Sequence, residues 1–314
     1  MKKADGKIIY ERSCVALGLF DGVHIGHRAV IRRAAEIAGR TGGDLVILTF
    51  RSYNGEMPKF GGRSDVCIMD YQSRVDELVN AAGGECYIDT PFFYMIRDLS
   101  PEVFFSEHIL GHNNAANVVC GEDFRFGKDR AGNTGMLAAL CEKAGVGFET
   151  VPPVCVDGEK VSSTRIREFI RNGDIPAAKR LLGHELYYTL PVLHGKQLGR
   201  TIGFPTVNQE LPAYMARPKR GVYAGYACVS ETDDPQRFGK LYPAITNIGV
   251  KPTVKDDDAE NIETHLIGFG GDIYGRSVRV YLNSYIREER RFASLEELKA
   301  QLEADKVCAL AQNK

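Results

Sequence analysis

The sequence predicts an α/β chain: a parallel, doubly wound sheet with helices between its strands, then an antiparallel β-barrel carrying a terminal helix. Three observations lead there. Apolar strand-like runs alternate with helix-like segments through the first half, which is the rhythm of βαβ units. After Gly183-His184-Glu185 the rhythm changes, and from Leu190 to Glu288 short β-rich runs are punctuated by Gly, Pro, Asn and Asp, as in a closed barrel. Beyond Ser294 a helix restarts, with Glu297 three residues on as the second half of a capping box. A length of 314 residues suits two domains, and these spans place them at 1–185 and 186–314.

Each element follows from local chemistry. Cys14–Leu19 and Val46–Phe50 read as buried strands, Arg28–Arg40 and Gln72–Ala82 as helices, and Cys86–Ile88 as a short strand. Ser100 caps a helix over Pro101–Leu110, with proline at its first position. Asn117–Cys120 is another buried strand, and Thr134–Ala144 another helix. In the second half Gly221–Val229 and Ser277–Leu282 are the clearest strands. The acidic run Lys255–Asp258 reads as a solvated hairpin loop.

Composition narrows the function classes. The chain is 44% hydrophobic and 26% charged with a formal net charge of -1, without the basic footprint of broad nucleic-acid binding. No apolar signal core or bilayer-length run is present. The eight cysteines include no C-x-x-C pair and sit mostly in apolar runs, so free buried thiols and a reducing cytoplasm are expected. Nothing in the sequence fixes an oligomeric state.

The first candidate site is Phe20-Asp21-Gly22-Val23-His24-Ile25-Gly26-His27, lying between a strand and a helix start. A helix N-terminus offers unpaired N–H groups and positive potential, so it suits phosphate. His24 and His27, spaced by Gly26 after the Gly22 turn, can bond a phosphate chain and stabilise charge on a leaving pyrophosphate. Further along, Ser162, Ser163 and Thr164 open a helix carrying Arg165 and Arg167, a second anion site. The loop Gly121–Gly127 sets Asp123 to accept hydrogen bonds and Phe124 and Phe126 to line a nucleotide or flavin pocket, or else to tuck into the core.

The second half carries its own signals. Gly195, Gly199 and Gly203 stand four residues apart with Lys196 and Arg200 between them, which suits a loop over phosphates although the usual P-loop Gly-Lys-Ser/Thr is absent. Past Pro205 the chain is extended, so Thr206 and Asn208 share a face. Their hard oxygens suit Mg²⁺ bridging phosphates. In Asn261–Ile267 alternation puts Glu263 and His265 opposite Ile262, Thr264 and Leu266. A carboxylate inside a barrel mouth can orient and deprotonate an attacking primary hydroxyl; a polar surface strand has the same pattern.

Taken together these motifs resemble the bacterial bifunctional riboflavin kinase/FAD synthetase family across nearly the whole chain. Phe20–His27, Gly121–Gly127 and Ser162–Arg167 match its Rossmann-like nucleotidyltransferase half. Gly195–Asn208, Asn247–Thr253, Glu263–His265, Asp272–Gly275 and Tyr285–Glu288 with Phe292 match its barrel kinase half. The resemblance implies phosphorylation of riboflavin to FMN by ATP with Mg²⁺, then adenylylation of FMN to FAD. It implies His24 and His27 on the ATP phosphates, with Ser163, Thr164 and Arg165 opposite. It also implies Glu263 as base on the ribityl 5′-hydroxyl, Thr206 and Asn208 on Mg·ATP, and Arg287 closing the flavin site beside the last helix. One segment departs: Arg51-Ser52-Tyr53-Asn54-Gly55 replaces a Pro-His-Pro type element, and Arg74 stands where a lysine is common. That departure keeps open a monofunctional kinase with a degenerate first module. A flavin-binding regulator without turnover would have no need of Glu263. His24-Ile25-Gly26-His27 also spells the class I aminoacyl-tRNA synthetase signature, but the chain is short, not basic, and shows no anticodon-reading domain.

Overall fold

Five parallel strands order the first part of the chain: β1 (Ser13–Leu17), β2 (Asp44–Leu48), β3 (Tyr87–Asp89), β4 (Ala115–Gly121) and β5 (Gly147–Val151). The computed structural model describes residues 2–4, 7–51, 66–91, 93–194, 199, 202–231, 237–250 and 260–312. Two compact units comprise the chain: Met1–Asp65 with Tyr71–Ser163, and Val66–Asp70 with Thr164–Lys314.

In the first unit the strand order is β3-β2-β1-β4-β5, all parallel. The chain builds outward from β1 to β3, then returns to lay β4 along the free side of β1. A crevice therefore opens beyond the carboxyl ends of β1 and β4, where such sheets bind ligands. Residues Cys14–Leu17 and Leu45–Leu48 are buried, as expected of parallel strands covered on both faces. The helix α1 (Ile25–Thr41) buries Val30, Ile31, Ala34, Ile37 and Ala38 and ends at Gly42 with φ 67, a left-handed cap that favours glycine. The helix α2 (Tyr71–Ala82) follows as predicted, and α4 (Thr134–Ala144) starts at an Asn133 cap.

Two features differ from the sequence expectation. The helix over 101–110 is α only at α3 (Pro101–Phe104) and continues as a π-helix over Phe105–His112. The wider π turn keeps Phe104, Phe105 and Ile109 on the buried face. Strand β5 is absent from the periodicity because Phe148–Val151 are only half-buried, leaving no apolar run to mark it.

The second unit opens with α5, whose helix spans Ser163–Asn172, and α6 (Ile175–Leu182). Six antiparallel strands follow: β6 (Leu186–Pro191), β7 (Val207–Leu211), β8 (Gly221–Val229), β9 (Tyr242–Val250), β10 (Glu260–Leu266) and β11 (Ser277–Arg287). Their order is β6-β11-β8-β9-β10-β7. The edges approach each other where Leu193 N donates to the Asn208 carbonyl at 2.8 Å. Inside, the fully buried Gln209 donates to the Leu190 and Val278 carbonyls at 2.7 and 2.8 Å, and the Thr246 and Thr264 hydroxyls meet at 3.1 Å. The short segment 66–70 joins this unit by backbone bonds of Cys67 with Tyr214 and Ala216.

The terminal helix α7 (Leu295–Gln312) begins as the capping box predicts: Glu297 N donates to Ser294 Oγ, and Glu297 Oε2 accepts from Ala293 N. Its Ala309 packs on Val222, Ala224 and Ile245. Asp305, 1% exposed, receives Arg287 through Nε at 3.1 Å and Nη2 at 2.7 Å, and Gln301 at 2.7 Å. No disulfide links any of the eight cysteines. Among the described residues no helix is long and apolar enough to cross a membrane. Removing one partner of a desolvated, bidentate pair strands the other. Asp305→Ala is therefore expected to destabilise the second unit by about 3 kcal/mol in urea unfolding, and Asp305→Asn by less.

Candidate active sites

The turn after β1 is strained and braced. Phe20 and Val23 take left-handed φ values of 52 and 38 around Gly22 at 78, a conformation non-glycine residues keep only when their surroundings enforce it. Thr49 Oγ1 and Arg74 Nη1 donate to the Leu19 carbonyl at 2.9 and 3.3 Å, and Arg28 Nε donates to the Val23 carbonyl at 3.1 Å. Arg28 also pairs with Glu77 of α2.

This turn delivers both histidines to the mouth of α1. His24 is the N-cap, its Nδ1 accepting from His27 N at 3.2 Å. The two rings stack with centroids 3.5 Å apart, and Phe20 stands edge-on to His27. A Cβ at Gly26 would lie 3.2 Å from the His24 ring, so glycine there permits the close cap. His27 Nδ1 is buried and makes no hydrogen bond. Burial, then His24 and the Arg74 charge, hold the His27 imidazole well below its ordinary pKa, so it is neutral near pH 7. Ser163 Oγ donates to the Asp21 carbonyl at 2.9 Å, tying a residue of the second predicted anion motif to the histidine turn. Along α5, Thr164 is exposed, Arg165 lies over the Phe169 ring at 5.6 Å, and Arg167 is buried.

In the loop after β4, Phe126 is in the core against Phe104, while Phe124 is half-buried and stacked on it at 5.8 Å. Phe124 also packs against that core, so both aromatics tuck inward, the second of the two readings weighed from sequence, and only Phe124 stays half-exposed at the loop. Burial pushes the Asp123 carboxyl up, and the Lys160 ammonium bonded to it more than offsets this, leaving it below its usual value.

The second site lies on the barrel wall. Strand pairing sets Asn208 opposite Glu263 and Glu263 opposite Asn247, so three polar side chains stand abreast on β7, β10 and β9. Ile262, Thr264 and Leu266 are buried on the other face, the barrel interior. Glu263 thus faces the helix-covered outer side of the wall, not the inside of the barrel mouth expected from the sequence, because the apolar partners of its strand take the interior. Two cavities meet at Thr206. One, of about 400 Å³, is lined by Ile202, Phe204, Val222, Glu263, Arg287 and apolar residues of α7. The other, of about 540 Å³, is lined by Thr206, Asn208, Phe269, Asp272 and Tyr274. Asn261 Nδ2 donates to Glu263 Oε1 at 2.7 Å. Burial lowers the His265 pKa, and its Nδ1 bonds the Pro205 carbonyl at 2.9 Å.

Of the glycine loop, Gly195, Lys196 and Arg200 lie outside the described residues, as do 52–55, 251–253 and 255–258. Gly199 has a structural reason: a Cβ there would collide with the Phe204 carbonyl at 2.1 Å, and Phe204 N donates to Gly199 O at 2.8 Å. Gly203 has φ 83, which suits glycine. Sequence reasoning omitted Asn247 and Glu289, joined at 2.9 Å beside the first cavity, and Asp305, which lines it. Asn247 belongs to a run with a recognised motif; Glu289 and Asp305 look like ordinary surface charges until folded.

Comparison with known proteins finds two families in succession along the chain. The FAD synthetase family matches residues 7–165 and the riboflavin kinase family residues 182–312. The chain is 35% identical over 301 residues to a bifunctional riboflavin kinase/FMN adenylyltransferase of Pseudomonas fluorescens, covering 96% of this chain and 93% of that one. It is 34% identical to the protein of that name from Bacillus subtilis, over 95% of this chain and 92% of the relative. A solved structure described as a macrolide-efflux protein from Streptococcus pneumoniae superposes with a TM-score of 0.78 at 31% identity, covering 95% of this chain and 93% of that chain. Two family matches in this order, and relatives aligned over more than nine-tenths of both chains, have one meaning: the chain belongs to the bifunctional riboflavin kinase/FMN adenylyltransferase family.

Proposed function

We propose that the chain makes FAD in two steps, assigned to residues 186–314 and 1–185. Riboflavin and ATP give FMN and ADP; FMN and ATP then give FAD and pyrophosphate. The observation that carries this reading is one chain matched by two families in succession, with His24 and His27 in the first stretch and Glu263 in the second. The matches to whole bifunctional relatives favour it over a lone kinase or a regulator without turnover.

In the kinase step the apolar cavity under α7 takes the flavin ring, and the cavity beyond Thr206 takes the nucleotide. Glu263, on the flavin side, accepts the proton of the ribityl 5′-hydroxyl as its oxygen attacks the γ-phosphorus. A P–O bond forms there, the bond to the β-bridging oxygen breaks, and ADP leaves. Thr206 and Asn208 line the same cavity, and their neutral oxygens suit Mg²⁺ that keeps phosphate and water ligands. When bound there, Mg²⁺ would draw negative charge from the phosphates. Lys196 and Arg200, with Gly195, Gly199 and Gly203, are assigned to the loop over those phosphates. Arg287, held by Asp305, fixes α7 as the wall of the flavin cavity.

In the transfer step an FMN phosphate oxygen attacks the α-phosphorus, and the bond to the β-phosphate breaks. His24, His27, Gly22 and Gly26 at the α1 N-terminus meet the charge that develops on pyrophosphate. Ser163, Thr164, Arg165 and Arg167 are assigned to the triphosphate by their motif. Asp123 is assigned to the nucleotide. Phe124, backed by Phe126, is assigned to the flavin. Eight cysteines without a disulfide suit a reducing cytoplasm.

Three outcomes follow. Glu263→Ala is expected to lower riboflavin phosphorylation by roughly 10²-fold or more while FMN is still converted to FAD, each measured by chromatography of flavins. His27→Ala is expected to do the reverse. The neutral form of His27 also sets a pH dependence. Its folded pKa lies below the ordinary value, so from about pH 6.5 downward the unfolded chain binds a proton that the folded chain refuses. Stability contributed by this group is complete above that pH and is lost as pH falls toward the folded pKa, by up to about 1.4 kcal/mol per unit. Unfolding of His27→Gln between pH 7 and 5 is expected to be correspondingly flatter.

A further inference from the structure

The first unit holds a buried cation that meets no counter-ion among the described residues. Arg74, in the first turn of α2, is 6% exposed. Its Nη1 and Nη2 donate to the carbonyls of Leu19 and Phe50 at 3.3 and 2.6 Å, just past the carboxyl ends of β1 and β2. Its Nε is buried and makes no hydrogen bond. Among the described residues no carboxylate meets it: Glu77, one turn further along α2, is engaged by Arg28. The flat face lies over the Tyr71 ring at 5.7 Å, and Arg51 approaches the same ring at 5.4 Å.

Bridging two carbonyls needs N–H donors, and a neutral amide would supply them without desolvating a charge. A guanidinium carries five donors in a planar fork, of which two are used here. A buried charge is costly unless an opposite charge meets it. The position narrows what that opposite charge is. Arg74 stands where the sheet opens its crevice, braces the turn carrying the histidines, and lies close enough to oppose protonation of His27. The His27 Nδ1 is a second buried polar atom left unpartnered in the same place.

We propose that Arg74 is a phosphate-binding residue of the transfer site, and that the substrate's polyphosphate is its counter-ion. The proposal rests on the adenylyl-transfer reading of the first unit and adds a residue to it. Arg74 positions the turn through two carbonyls and presents its remaining donors to the departing pyrophosphate. It neutralises charge that grows as the α–β bond breaks.

The test uses the full-length protein and inorganic pyrophosphate. In the wild type, pyrophosphate is expected to shift the backbone-assigned Nε–H resonance of Arg74 in ¹⁵N spectra. Arg74→Gln is expected to weaken pyrophosphate binding at least tenfold and to raise the KM for ATP in FMN adenylylation by a similar factor. Arg74→Lys should recover part of both losses. Riboflavin phosphorylation by the same preparations checks that the chain is folded. An Nε–H resonance unmoved at saturating pyrophosphate overturns the proposal, as does wild-type pyrophosphate affinity in folded Arg74→Gln. Should that variant not fold, the wild-type spectrum alone decides. Wild type that makes no FAD from FMN and ATP would instead defeat the functional reading, which is a separate result.

Discussion

The ladder pairing Asn208 with Glu263 and Glu263 with Asn247 decides where each group of the proposed kinase site stands. Side chains on a strand alternate, so a slip of one residue would send Glu263 into the barrel and bring Thr264 out. The register is held from inside. Thr246 and Thr264 meet across β9 and β10, and Gln209 of β7 is tied to β6 and β11 by two buried hydrogen bonds. A polar interior is used here to fix the face that chemistry needs. The outer face is then free to carry a carboxylate between an apolar cavity and a polar one.

The two units solve their electrostatics in opposite ways. In the second, the Arg287 charge beside the cavity under α7 is internally balanced, because Arg287 is held bidentate by the buried Asp305. That pairing makes the helix part of the cavity wall. In the first, positive potential is left open at the crevice. A strained turn, a helix N-terminus, a neutral histidine with an unpartnered nitrogen, and Arg74, met by no carboxylate among the described residues, all face the same need. Such an arrangement suits a ligand of several negative charges.

Much of this was legible in the sequence, for identifiable reasons. The βαβ rhythm gave the switch point because parallel strands are buried on both faces and stand out as apolar runs. Period-two alternation around Glu263 and His265 gave their shared face. It did not tell that this face lies under α7 rather than inside the barrel, since both places are half-buried. Asp305 and Glu289 were missed because a charge within a polar helix or loop looks solvated until its partner arrives from elsewhere in the chain. Strand β5 was missed for want of an apolar run, and the π-helix because Ser100 and Pro101 announce how a helix starts and nothing announces how tightly it winds. The altered segment after Phe50 weakened the case for transfer on sequence alone; the relatives matched over more than nine-tenths of both chains, and the braced histidine turn, restore it.

The central claim is that one chain performs both steps, and the fate of two labels tests it directly. The purified protein is given riboflavin, Mg²⁺ and ATP labelled distinguishably at the α- and γ-phosphates, and the flavins are analysed by mass spectrometry. The account predicts FMN carrying only the γ-label, followed by FAD carrying one phosphorus of each kind. FMN that accumulates without any α-label reaching a flavin would contradict it, and so would the absence of labelled flavin altogether.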